Sequence, residues 1–224
     1  AIKYHGRIEK DKIQEENIEG LEKGIDNLYR HISNIKDKFG LNVIVAINRF
    51  NSDTEEEINY LRKKLEEKGV ELSLVEGWAK GGEGAIDIAQ KLVNLTEKEE
   101  HFQYTYELNE GIKEKIEKVA TKIYGAKGVI FEEKAEKEIE RIEKLGYANL
   151  PVCIAKTQYS FSDDPKNLEC KDDYNITIRD IELKTGAGFI VALAGKIMTM
   201  PGLPKIPAAE NIDIDEDGNV EGIF

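Results

Sequence analysis

Leu41-Asn-Val-Ile-Val-Ala-Ile-Asn-Arg-Phe50 is an apolar, β-branched run that closes on an aromatic residue. A helical segment and a second strand-like run follow, Val70 to Glu76, and then comes Gly77-Trp-Ala-Lys-Gly-Gly-Glu-Gly84. The order strand, helix, strand, helix implies parallel pairing with right-handed crossovers, hence an α/β fold with a mostly parallel sheet and flanking helices. In such sheets ligands bind beyond the carboxyl ends of the strands. Phe50 and Trp78, the only tryptophan of the chain, both fall at such ends, beside Asn48 and Gly77. Either the two rings face one flat ligand from opposite sides, or both pack in the core, as aromatics commonly do.

Around this unit, Leu21, Ile25, Leu28, Ile32 and Ile35 recur at helical spacing, and Gly40 is placed to end that helix in the left-handed region. A buried strand is expected from Leu41 to Ile47. Ser52, Asp53 and Thr54 offer N-cap oxygens, with Glu55, Glu56 and Glu57 placed for a capping box and the helix dipole, while Ile58, Leu61 and Leu65 face inward. Gly69 stops that helix, and after the glycine loop Ile88, Leu92 and Leu95 form the stripe of the next.

Beyond a polar link at Glu97 to His101, the strand and helix design recurs as a smaller α/β region with a strand-rich C-terminal part. Phe102 to Leu108 alternates like an edge strand, and Ile112, Ile116, Val119 and Ile123 mark a helix. Strands are expected at Gly128 to Phe131, Val152 to Ala155, Ile176 to Ile181 and Phe189 to Ala194, with a Glu/Lys-rich helix around Ala135, Ile139 and Ile142. A long polar loop runs from Lys156 to Tyr174. Pro201, Pro204 and Pro207 forbid regular structure, and the acidic tail from Asn211 lacks a core-forming pattern. The expected division is residues 1–98 and 99–224.

Composition narrows the function. With 44 acidic and 32 basic side chains, the net charge of −12 repels a nucleic-acid backbone. Apolar runs such as Phe189 to Ala194 are too short to span a bilayer, and no signal-like segment opens the chain, so a soluble cytoplasmic protein is expected. Cys153, inside an apolar run, reads as a core thiol and Cys170 as a loop thiol. His5, His31 and His101 lack metal-ligand spacing. Gly81-Gly-Glu-Gly84 could receive an anion at a helix start or be a tight turn, but it is not a P-loop, because no Gly-x-x-x-x-Gly-Lys-Ser/Thr run exists. The Glu/Lys runs read as solvated helix faces. Ala155-Lys-Thr-Gln-Tyr-Ser-Phe-Ser-Asp-Asp164 suits either polar ligand contacts or turns. No Gly-x-Ser-x-Gly elbow supports a hydrolase. The first residues read like the end of an element, so a piece of a longer protein is expected.

Ala1-Ile-Lys-Tyr-His-Gly6, Val45-Ala-Ile-Asn-Arg-Phe50, Trp78-Ala-Lys-Gly-Gly-Glu-Gly84, Ala155-Lys-Thr-Gln-Tyr-Ser160, Gly186-Ala-Gly-Phe-Ile190 and Met198-Thr-Met-Pro-Gly-Leu-Pro-Lys205 occur in the order found in the formate–tetrahydrofolate ligase family. The chain resembles the C-terminal portion of that family along its whole length. The resemblance implies ATP-dependent ligation of formate to tetrahydrofolate, with formyl phosphate as the intermediate attacked by the folate N10 amine. It also implies a folate ring held between Phe50 and Trp78, with Leu74 and Asn51 lining the same slot. ATP with Mg2+, tetrahydrofolate, a favoured monovalent cation and a homotetramer belong to the same implication. The family's P-loop and formyl-phosphate residues lie upstream of Ala1, so an N-terminal portion is the implied partner, and the fragment alone is expected to lack turnover. A folate-binding or assembly module is the alternative.

Overall fold

The computed structural model describes residues 1–168, 173–197 and 204–222, with the Ala208 side chain left out. Cys170 and the stretch 198–203, which carries much of the last motif above, lie outside the described residues.

A short helix α1 (Ile2–His5) packs on α2 (Ile18–Ser33), whose last turn widens into a π-helical turn at Asn34–Lys38. Gly40 follows at φ 68°, the left-handed conformation expected of a residue that ends a helix. Strand β1 (Ile44–Asn48) leads to α3 (Glu55–Glu66), and β2 (Glu71–Val75) pairs with β1 in parallel, Ile47 opposite Leu74 and Asn48 opposite Val75. The N-cap of α3 is Thr54, with a reciprocal capping box to Glu57. Leu21, Ile25, Leu61, Leu65 and Leu72 form the first core.

The strand from Leu41 is not buried as expected. It starts at Ile44 and alternates half-buried and exposed residues, because β1 has β2 as its sole strand neighbour among the described residues. The helix after the glycine loop also differs. The short α4 (Gly77–Lys80) is followed by a 3₁₀ turn, Gly81–Ala85, and by α5 (Ile86–Thr96). Polar contacts tether α5 to β2: Ser73 donates to Asp87 at 2.6 Å, and Lys91 donates to the Leu72 carbonyl at 2.8 Å. No residue of α5 is buried, and Ile86, Leu92 and Val93 face solvent.

The second part comprises α6 (Ile112–Lys118) with a π-helical continuation, β3 (Gly128–Phe131), α7 (Glu133–Lys144), β4 (Val152–Ala155), β5 (Asn175–Lys184) and β6 (Phe189–Ala194). The sheet order is β3-β5-β6-β4. β3 runs parallel to β5 and β4 parallel to β6, but β5 and β6 form an antiparallel hairpin, since only a short turn at Gly186–Gly188 joins them. The second core gathers Ile112, Ile116, Ile139, Ile142, Ile176 and Ile190, all at 2% exposure or less.

Two further expectations are corrected. Phe102 to Leu108 is not a strand; its backbone meets the Phe39 carbonyl through Gln103 and its Tyr106 hydroxyl accepts from Val152 N, so no ladder forms. Cys153 is exposed, since it alternates along β4 with the half-buried Val152 and Ile154 and so points to the other side of the sheet. The tail pairs as a small exposed hairpin, β7 (Asp213–Ile214) with β8 (Val220–Glu221), closed by hydrogen bonds to Asp215.

The loop after β4 turns on Lys156, whose amine donates to the carbonyls of Thr157 at 3.1 Å, Ser162 at 3.2 Å and Ser160. Burial lowers its pKa from 10.5 to about 8, partly opposed by Asp163. Between about pH 8 and 10.5 the unfolded chain therefore holds more protons on this group than the folded chain, and stability gains with rising pH. The gain should be absent in Lys156→Met. Urea midpoints of both proteins at the two ends of that window test this, and equal pH trends would contradict it.

Candidate functional site

The end of β1 and the end of β2 are fastened together. Arg49 N–H donates to the Val75 carbonyl at 3.0 Å, extending the ladder by one residue, and the Trp78 indole N–H donates to the Arg49 carbonyl at 2.8 Å. Phe50 N–H is held by the Asp53 carboxylate at 2.8 Å, while Asp53 N–H returns to the Phe50 carbonyl at 3.0 Å. The guanidinium of Arg49 reaches Glu55 at 2.6 Å. These bonds use the polar edge of the indole and the backbone beside both rings. The aromatic surfaces stay open: Phe50 is 58% and Trp78 57% exposed.

Both rings thus stand at the carboxyl ends of adjacent parallel strands, in the solvent rather than in a core. Leu74, on β2, is half-buried and packs against the first core. Asn51 lies exposed in the turn directly after Phe50. All four residues expected at the site therefore sit at one end of one strand pair.

The glycine turn serves to present Trp78. Gly84 accepts from Glu76 N–H at 3.0 Å, and a Cβ on Gly84 would meet the carbonyl carbon and oxygen of Glu76 at 2.5 Å. Lys80 pairs with Glu76 at 2.6 Å and holds that carboxyl below its usual range. Glu83 and Asp87 place negative charge at the start of the 3₁₀ turn and of α5. The turn is closed on its own backbone and flanked by carboxylates, features of a tight turn rather than of an anion cradle. Gly84→Ala should cost about 1–3 kcal/mol through overpacking and shift the Trp78 emission spectrum. A denaturant midpoint equal to the parent's would contradict the role given to Gly84.

Beside Phe50 a groove of about 590 Å³ runs along the open edge of β1, lined by Val45, Ile47, Phe50, Ile58 and Leu61. The buried pair Lys3–Glu57, 2.9 Å apart, also lines it. Sequence reasoning missed this pair, and missed that His5, His31 and Lys156, far apart in the chain, line one cleft at the end of β4. No local pattern signals either.

Comparison with known proteins gives the family. The sequence model described as formate–tetrahydrofolate ligase matches residues 1–224. The formate–tetrahydrofolate ligase of Campylobacter concisus (strain 13826) is 48% identical over 223 residues, which cover 100% of this chain and 41% of that protein. The chain thus spans about two fifths of the length of this curated relative. By a match over its full length, the chain belongs to the formate–tetrahydrofolate ligase family.

Proposed function

We propose that this chain is the folate-binding part of an ATP-dependent ligase that forms 10-formyltetrahydrofolate from formate and tetrahydrofolate through formyl phosphate. The observation that carries this reading is the exposure of Phe50 and Trp78 at neighbouring strand ends, with the indole N–H already spent on Arg49. A flat bicyclic pterin gains apolar burial and offset stacking from two such rings. Leu74 supplies an apolar wall and Asn51 a polar edge. The contribution to catalysis is positional: the slot presents the N10 amine to the mixed anhydride.

ATP with Mg2+ has no fitting site in the glycine turn, which Gly84 closes against Glu76. Activation of formate, and any monovalent cation, are therefore assigned to the further sequence that the relative carries and this chain does not span. In this reading residues 1–98 form the folate-binding part and 99–224 a second α/β unit. The whole enzyme is a cytoplasmic homo-oligomer acting on small molecules. Among the described residues no helix is long and apolar enough to cross a membrane, and a net charge of −12 disfavours nucleic acid.

A second reading, a binding or assembly module without turnover, is favoured by the edge of β1 that pairs with no strand among the described residues. A strand laid beside it would satisfy open backbone groups and cover Val45, Ile47 and Leu61. An N-terminal ligase portion is the fitting occupant. Fluorescence titration tests the folate-binding claim: tetrahydrofolate should quench Trp78 saturably, while ATP and formate with the isolated chain release no ADP. Absence of saturable quenching would overturn folate binding by this chain.

A further inference from the structure

We propose that the cleft at the carboxyl end of β4 binds a small divalent anion, a phosphate-like oxyanion or a dicarboxylate, with the imidazoles of His5 and His31 as donors and the charge of Lys156 behind them. The cleft measures about 250 Å³ and shares no lining residue with the Phe50–Trp78 site. Two of the chain's three histidines line it, one from α1 and one from α2. In a chain of net charge −12 this gathers one lysine and two imidazoles that become cations on protonation.

The donors are arranged for a ligand. His5 Nδ1 lies 3.4 Å from the Leu168 carbonyl, which can only accept, so Nδ1 carries the proton, and protonation of the ring makes Nε2 a second donor, free for an anion. The His31 ring rests on Phe161 with centroids 4.7 Å apart and makes no hydrogen bond among the described residues. Arg30 lies over the same Phe161 ring at 5.9 Å. Lys156 sits 4.8 Å over the Tyr124 ring and gives its N–H groups to the carbonyls of Thr157, Ser160 and Ser162, so it contributes field rather than a hydrogen bond.

The charges facing these groups are mostly of one sign. Burial lowers the pKa of both imidazoles; His31 is also opposed by His5 and Lys156, and His5 by the amino terminus, against the Leu168 carbonyl that raises it. Asp163 is the carboxylate that acts on Lys156, and its Oδ2 accepts from Thr177 N–H at 2.8 Å. An anion seated between the imidazoles would replace repulsion with two charge-assisted hydrogen bonds. Binding is then linked to proton uptake and strengthens as pH falls.

The test is proton NMR of the three histidine Cε1–H resonances during titration with sulfate, which keeps both charges across the range, and separately with succinate, each against sodium chloride at matched ionic strength. His5 and His31 should shift saturably, while His101, exposed beside Glu99, reports bulk screening and stays. Sulfate affinity should be about tenfold or more higher near pH 6 than near pH 8. His31→Gln should weaken it about tenfold, with His5→Gln as the second variant should the first fail to fold. Tighter binding of sulfate identifies the ligand as phosphate-like, and tighter binding of succinate as a dicarboxylate. Equal, non-saturating shifts in all three histidines, or affinity independent of pH and of both variants, would overturn the proposal.

Discussion

A Trp78→Ala chain is expected to bind tetrahydrofolate about 10- to 100-fold more weakly than the parent, the equivalent of about 1–3 kcal/mol for one stacked aromatic face. The fold should be nearly unaffected. Trp78 is 57% exposed and outside both cores, and its indole bond to the Arg49 carbonyl, when removed, leaves that carbonyl open to solvent. Equilibrium dialysis gives the affinity, and urea unfolding gives the stability. A large stability loss with unchanged affinity would assign the indole to packing instead. Phe50→Ala should act in the same direction with a smaller effect, because a phenyl ring offers less area than an indole.

The largest stability effect is expected at Lys3. Its amine is 2.9 Å from Glu57 and 3.0 Å from the Glu15 carbonyl, and the two charged side chains are 8% and 5% exposed. Glu57 also accepts from Asn17 N–H at 2.8 Å and closes the capping box on Thr54. One carboxylate therefore ties α1, the start of α2 and the start of α3 together. Lys3→Met leaves that carboxylate buried without its counter-charge, a loss of about 3–5 kcal/mol. Replacing both residues, Lys3→Met with Glu57→Leu, should recover part of it, since a buried ion pair can be exchanged for apolar packing at little net change. Urea midpoints of the three proteins check the pattern. A single-mutant loss below about 1 kcal/mol, as for an exposed pair, would contradict it.

The parts of the fold that local chemistry determines could be read directly. The Thr54–Glu57 capping box, the stripe Ile58, Leu61 and Leu65, and the short parallel strands at the ends of which Phe50 and Trp78 stand all follow from spacing alone. What depended on neighbours could not. Phe102 to Leu108 alternates as a strand does, but among the described residues only Gln103 N–H meets a neighbouring backbone, at the Phe39 carbonyl, and no ladder forms. Cys153 belongs to an apolar run, yet alternation along β4 puts it on the exposed side while Val152 and Ile154 are half-buried. Likewise β1 stays half-exposed because its second edge has no partner among the described residues.

Buried lysines are the hardest to foresee. Lys115 has no exposed surface and donates to the carbonyls of Ala148 and Leu150 at 2.6 and 2.9 Å. In sequence the helix is marked by Ile112, Ile116, Val119 and Ile123, and nothing in that stripe points to Lys115. Lys3, Lys115 and Lys156 all find carbonyl partners across loops, a pairing that depends on tertiary closure and leaves no periodic trace. The position of Phe50 and Trp78 at two strand ends was legible for the opposite reason. A strand end is a local feature, and an aromatic residue placed there is visible before any packing is known.

A crystal structure of the chain with bound folate should show the pterin between the rings of Phe50 and Trp78, their planes about 7 Å apart, twice a van der Waals stacking contact, with Leu74 and Asn51 at its edges. A pterin seated elsewhere, with neither ring against its faces, would contradict folate binding in this slot.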